Sequence, residues 1–279
     1  MNASIDATAM AAQSAAGIPK LTHTEAGHLA QTEYNRVLAL LETLAGDDWT
    51  QPTYCTEWNV HQMVGHLAGS VTESISFAEF RRQTMQNPYL KDFDKMEDAI
   101  NKLQVEERAD KTPAELVAEF RHNGPVALNN RQKLPWLVRK IHLPMGSLGF
   151  TSVEYLVDTI YSRDQWMHRY DICAATGKEM VVTPAHDGRI VALVVRDAAR
   201  KLKSELAQRT VALHLAGAIE ATYLFGNKTI PDCTVAMDLF DFNLLASGRI
   251  TAEETAGRTA VSGDRATAGW FLAHIEVPY

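Results

Sequence analysis

Asp164, His168 and Asp171 sit close together in a stretch whose apolar residues recur at helical spacing. Projected at about 100° per residue from Val157, the residues Val153, Ile160, Tyr161, Ile172 and Ala175 fall within about 60° of one direction and define a buried stripe. Asp164 and His168 project at about −20° and +20°, one turn apart, and Asp171 at about −40°. Trp166, Arg169 and Cys173 point outward. A carboxylate and an imidazole on an apolar face are costly unless paired or bound to metal. Two readings follow. One is a buried Asp–His ion pair. The other is a pair of ligands offered to one cation from a single helix, the spacing used by His-x-x-x-His sites.

A cation needs a further ligand from another helix. His61 and His66 lie on opposite flanks of a stripe marked by Val60, Met63, Val64, Leu67 and Val71, and periodicity does not choose between them. Cys55 precedes that helix, where a helix N-terminus depresses a thiol pKa. It reads as a nucleophile partnered by His61, or as a small buried loop residue beside Trp58.

The elements that position these groups are helices through the first two thirds of the chain. Periodicity predicts helices over 25–45, 58–85, a short one near 93–103, and 152–176 closed by Gly177. Thr112-Pro113-Ala114-Glu115 is a capping box with Pro at the first helical position, opening a helix bent at Gly124-Pro125. Thr183-Pro184 opens another. After Leu206 the period shortens: 211–215, 221–225 and 233–237 read as strands, 240–246 as a helix, 259–262 as a strand and 265–275 as a last helix. Thr251-x-x-Glu254 is a further capping box. The fold class is therefore α+β with two domains. Residues 1–22 read as a flexible tail, not a signal peptide. Residues 23–180 form a helical bundle and 181–279 a small α+β domain, with the boundary between 177 and 208.

Two stretches resemble a known family. Trp49 through Leu67, with Cys55, Trp58 and His66, is similar to the N-terminal signature of mycothiol-dependent maleylpyruvate isomerases, which are DinB-like metal-binding four-helix bundles. Arg163-Asp164-Gln165-Trp166-Met167-His168-Arg169-Tyr170-Asp171 is similar to the second signature. The C-terminal part, with Ser247-Gly248-Arg249 and Ser262-Gly263-Asp264, resembles the sterol-carrier-like domain. The resemblance implies a divalent metal, zinc first with nickel or iron as alternatives, held by His66, Asp164 and His168. The isomerase carries Glu at the acidic position, where this sequence has Asp164.

Two His and one carboxylate leave positions open on a metal, as catalysis requires. A small thiol there becomes a thiolate near neutral pH and adds to an activated double bond. Rotation and elimination then convert cis to trans. Failure to eliminate gives a thiol S-transferase, and water in place of thiol gives a hydrolase. A non-catalytic metal-binding or interaction protein is the reading of another class. For an anionic substrate, Arg249 is the candidate anchor, while Arg163 and Arg169 read as solvated or packed on another helix. Asp171 is the candidate acceptor for a ligand imidazole N–H.

The composition sets the bounds. With 279 residues and a net charge of 27 − 34 = −7, the chain suits two domains and disfavours nucleic acid or an anionic membrane as partner. Three cysteines without Cys-x-x-Cys exclude a disulfide scaffold and suit a reducing cytoplasm. No run of about 18 apolar residues predicts a membrane span. The expected partners are a small-molecule substrate and a small thiol, on a monomer or homodimer.

Overall fold

The computed structural model describes residues 12–144 and 149–279. The fold is α+β with two compact units: a helical unit of residues 21–181, with which Pro278 and Tyr279 are grouped, and a sheet-containing unit of residues 12–20 and 182–277. Strand β1 (Gln13–Ser14) belongs to the sheet, and Ala15, Ile18 and Leu21 are buried. This corrects the expected flexible tail from residue 13 onward. The earlier part of that tail lies outside the described residues.

The bundle begins at α1 (His23–Leu41), where Thr22 and Glu25 form a capping box. In α2 (Val60–Glu73), Asn59 and Gln62 do the same, and α3 (Phe77–Met85) is capped by Ser76. The single helix expected over 58–85 is thus two. Ser74 ends α2 and the Ser76 side chain takes the Glu79 N–H, so serine side chains compete with the helical ladder at this point. Then come α4 (Met96–Glu106) and α5 (Pro113–Gln132), the latter opened by the Thr112–Glu115 capping box and uninterrupted at Gly124-Pro125. A short helix α6 (Trp136–Arg139) leads to the antiparallel pair β2 (His142–Pro144) and β3 (Phe150–Ser152). The chain continues through α7 (Val153–Tyr155), a π-helical turn over Leu156–Ile160, and α8 (Tyr161–Thr176). Gly177, at φ 68°, closes α8 in the left-handed conformation glycine tolerates best.

Four long helices pack around one core, α1 against α5 and α8, and α2 against α5 and α8. Leu41, Val64, Leu67, Leu116, Phe120 and Ile172 lie at its centre. Helix α8 is enclosed on nearly every side. Trp166, Arg169 and Cys173, expected to face outward, are all buried. The polarity of that face misleads because its charge is neutralised inside: Arg169 Nε and Nη2 donate to Glu33 of α1 at 2.6 and 3.2 Å.

The other unit holds α9 (Asp187–Lys201), which starts beyond Thr183 because the Asp187 carboxylate accepts the Thr183 N–H at 2.6 Å. Strands β4 (Val211–Ala216), β5 (Ala221–Phe225) and β6 (Cys233–Asp238) follow, then α10 (Leu239–Ala246), β7 (Ala260–Gly263) and α11 (Arg265–His274). The sheet order is β1-β5-β4-β6-β7, with β1–β5 and β4–β6 parallel. Alternate strand residues Val211, Leu213, Leu215, Val235 and Phe225 are buried, and α10 and α11 pack on the sheet. The Thr251–Glu254 bonds form, yet residues 252–258 make turns rather than a helix. No helix among the described residues is long and apolar enough to cross a membrane.

Candidate metal centre

Helices α2 and α8 bring three of the expected residues together. Ligand atoms of His66, Asp164 and His168 all lie within 4.8 Å of one another. His168 Nε2 is 3.2 Å from Asp164 Oδ1, and His66 Nε2 is 3.5 Å from Asp164 Oδ2. The two imidazoles meet edge to face at 4.9 Å between centroids. Both histidines are buried, whereas the Asp164 side chain keeps 19% of its surface exposed, so it forms the open edge.

His66 decides whether these residues fit a cation. Neither of its buried ring nitrogens has a hydrogen-bond partner. Buried polar groups are nearly always bonded, and an orphaned one is costly. The orphan here faces a carboxylate and a second imidazole, a donor set suited to zinc, nickel or iron(II). The residues fit a divalent cation.

The supporting shell is also in place. His168 Nδ1 lies 3.1 Å from Asp171 Oδ2, and Asp171 is fully buried. Donation to that carboxylate selects the tautomer in which Nε2 carries the lone pair a cation would take. Burial opposes charge on His168, but the Asp164 carboxylate outweighs it and raises the imidazole well above its ordinary pKa. Burial likewise works to raise Asp164. The facing charges of His168 and His66 overcome this and hold its carboxyl far below the usual carboxylate range.

Cys55 lies in the loop before α2, with Sγ 3.9 Å from Asp171 Oδ2. His61 turns elsewhere: its Nε2 pairs with the Lys111 carbonyl at 2.7 Å, and no hydrogen bond joins it to Cys55 among the described residues. The Cys55–His61 pairing is therefore not formed. Trp58 lies with its ring 5.1 Å from that of His66 and 6.1 Å from that of His168. Cys173 is buried, and burial pushes its thiol up to about 11. Arg163 donates to the Pro278 carbonyl at 2.8 Å and is 1% exposed, so neither it nor Arg169 is solvated. Arg249 follows α10 in the sheet-containing unit, where its N–H bonds to the Leu244 carbonyl.

Sequence reasoning overlooked a polar cluster on the same helices. Glu73, seven residues after His66, accepts the Tyr161 hydroxyl at 3.2 Å. Arg131 of α5 stacks over the Tyr161 ring at 3.6 Å and donates to Ser74 Oγ and the Ser70 carbonyl at 2.9 and 3.2 Å. All three are buried. The available signal was spacing: Glu73 repeats the face of His66 after two turns, and Tyr161 precedes Asp164 by one.

Comparison with known proteins bears on these helices. A family model described as the mycothiol maleylpyruvate isomerase N-terminal domain matches residues 30–173. Uncharacterized proteins of two Mycobacterium tuberculosis strains are 26% identical over 160 residues, 53% of this chain and 53% of each relative. The chain thus spans about half the length of these curated relatives. Among solved structures, mycothiol-dependent maleylpyruvate isomerase superposes with a TM-score of 0.57 at 14% identity, covering 87% of this chain and 93% of that one. A histidine-to-alanine mutant of it matches with the same TM-score at 13% identity. At that identity the likeness concerns the fold.

Proposed function

The chain belongs to the mycothiol maleylpyruvate isomerase N-terminal domain family, and from that premise we propose a metal-dependent enzyme that uses mycothiol or a similar small thiol. Its substrate is a small, activated, anionic molecule, and its reaction a cis–trans isomerisation like that of maleylpyruvate. The observation that carries this reading is the buried His66, with both ring nitrogens unbonded beside Asp164 and His168.

His66, Asp164 and His168 would hold the cation. A bound divalent cation, zinc first with nickel or iron(II) as alternatives, supplies the Lewis acidity that lowers the pKa of a small thiol. Asp171 orients His168 by accepting a hydrogen bond from its Nδ1–H. Trp58 lies against both imidazoles and limits water on that side. The sulfur nucleophile arrives on a small molecule. Cys173 and Cys233 are buried with raised pKa values, and Cys55 stands behind His168, on the Nδ1 side with Asp171.

Purified protein is expected to take up about one zinc per chain, and His66→Ala to lose it, as measured by elemental analysis after dialysis. Zinc content equal in the two proteins would sink the site. With zinc loaded, mycothiol and a cis-olefinic keto acid should give thiol-dependent conversion to the trans isomer. A stable thioether would instead assign transfer, and turnover without thiol would assign hydrolysis.

A further inference from the structure

Several buried arginines of the bundle pair with a carboxylate. Arg108 Nη2 contacts Glu119 at 2.6 Å, Arg139 pairs with Asp158, and Arg169 with Glu33. Arg131 is only 7% exposed, yet it makes no ion pair among the described residues. Buried guanidinium groups are rarely left without an anion, because desolvating the charge is repaid only by a well-placed partner. Of its donors, Nε and one Nη are used on Ser74 and Ser70. The other Nη has no hydrogen-bond partner among the described residues. The Tyr161 ring beneath fixes the plane of the group.

From this cation, which lacks an ion-pair partner within contact distance among the described residues, we infer that Arg131, with Tyr161, forms a carboxylate-binding subsite beside the metal centre, on which Glu73 bears as a facing charge. The inference rests on the functional reading above and gives its anionic substrate a second anchor, at Arg131. The spacing fits. Tyr161 precedes Asp164 by one turn, about 4.5 Å along α8, and Glu73 follows His66 by two turns, about 10 Å along α2. One carboxylate held at Arg131 therefore leaves the rest of a molecule a few carbons long directed toward His66, Asp164 and His168. A guanidinium offers the forked geometry that a carboxylate fits, with the Tyr161 hydroxyl close by. The charges that face Arg131 are Glu73 of α2 and Asp164 of α8, and both oppose a second anion. Glu73 is the closer control, because it already bonds Tyr161.

Titration calorimetry with maleate on zinc-loaded protein at pH 8 tests the subsite. Arg131→Met should weaken maleate binding at least tenfold with zinc content unchanged, and Arg131→Lys should restore part of the loss. Glu73→Gln removes a facing negative charge while keeping the shape, and should tighten maleate several-fold. Maleate affinity in Arg131→Met within twofold of the parent overturns the subsite. If that variant does not fold, an unchanged affinity in Glu73→Gln overturns it instead. Failure of the metal reading looks different, since the parent protein would then take up no zinc. Maleate titrated into zinc-free protein would still test Arg131.

Discussion

Glu73 is a carboxylic acid enclosed by the bundle, and its protonation is tied to folding. Burial pushes its pKa up to about 7 from the ordinary 4.5 of a glutamate, against the pull of Arg131 and the Tyr161 hydroxyl. The folded state thus holds a proton that the unfolded chain releases between those values. The associated stability is present below about pH 4.5 and is lost as pH rises through 7. A gap of about 2.5 units amounts to about 3 kcal/mol. In metal-free protein, Glu73→Gln should flatten the fall in stability between pH 5 and pH 8 by up to that amount, as read from urea midpoints. An identical pH slope in the two proteins would contradict the assignment. At this scale the sequence was informative where one helix sufficed. Asp164, His168 and Asp171 share α8, so their common face followed from 3.6-residue periodicity alone. Arg131 and Glu73 meet Tyr161 from two other helices, and no single-helix projection brings them together.

The close approach of α1 to α5 depends on Gly124. A methyl group there would lie 2.0 Å from Tyr34 Cε2. Tyr34 has little room to retreat, being stacked on Phe120 at 5.2 Å and hydrogen-bonded to the Arg121 carbonyl at 3.1 Å. Gly124→Ala would gain about 1 kcal/mol of helix propensity, but overpacking of this kind costs about 1–3 kcal/mol. The expected net is a loss on the order of 1 kcal/mol in chemical denaturation, and a stabilised variant would refute the contact. Element boundaries were legible where caps are strong, as at Thr112–Glu115 and Gly177. They were not where a break lies inside a continuing apolar pattern, as at Ser74–Ser76. The π turn over 156–160 had no visible signal either. It winds more residues per turn than an α-helix, so the angles among Asp164, His168 and Asp171 within α8 hold, while those measured back to Val157 and Val153 drift.

Across the whole molecule, the change from a period of 3.6 to a period of 2 after Leu206 marked the sheet correctly. The two-residue strand β1 escaped because Gln13 and Ser14 carry no alternation, and their pairing with Tyr223 and Leu224 spans most of the chain. Metal binding provides a test at this scale, since a ligand stabilises the folded unit that holds it. With free zinc at about a thousand times its dissociation constant, the gain is about 4 kcal/mol, or on the order of 10 °C for a unit of this size. Calorimetry with and without chelator should therefore show one metal-dependent transition, abolished in His66→Ala. Melting that is indifferent to chelator would count against the centre.

Trp58 gives that centre an optical property. Its indole lies 5.1 Å from the ring of His66 and 6.1 Å from that of His168. An excited indole at such range loses energy to a protonated imidazole far more readily than to a neutral one. The share of ultraviolet emission that comes from Trp58, one of five tryptophans, therefore reports the charge on the neighbouring imidazoles, and the protein carries its own dye at the place where its chemistry is expected.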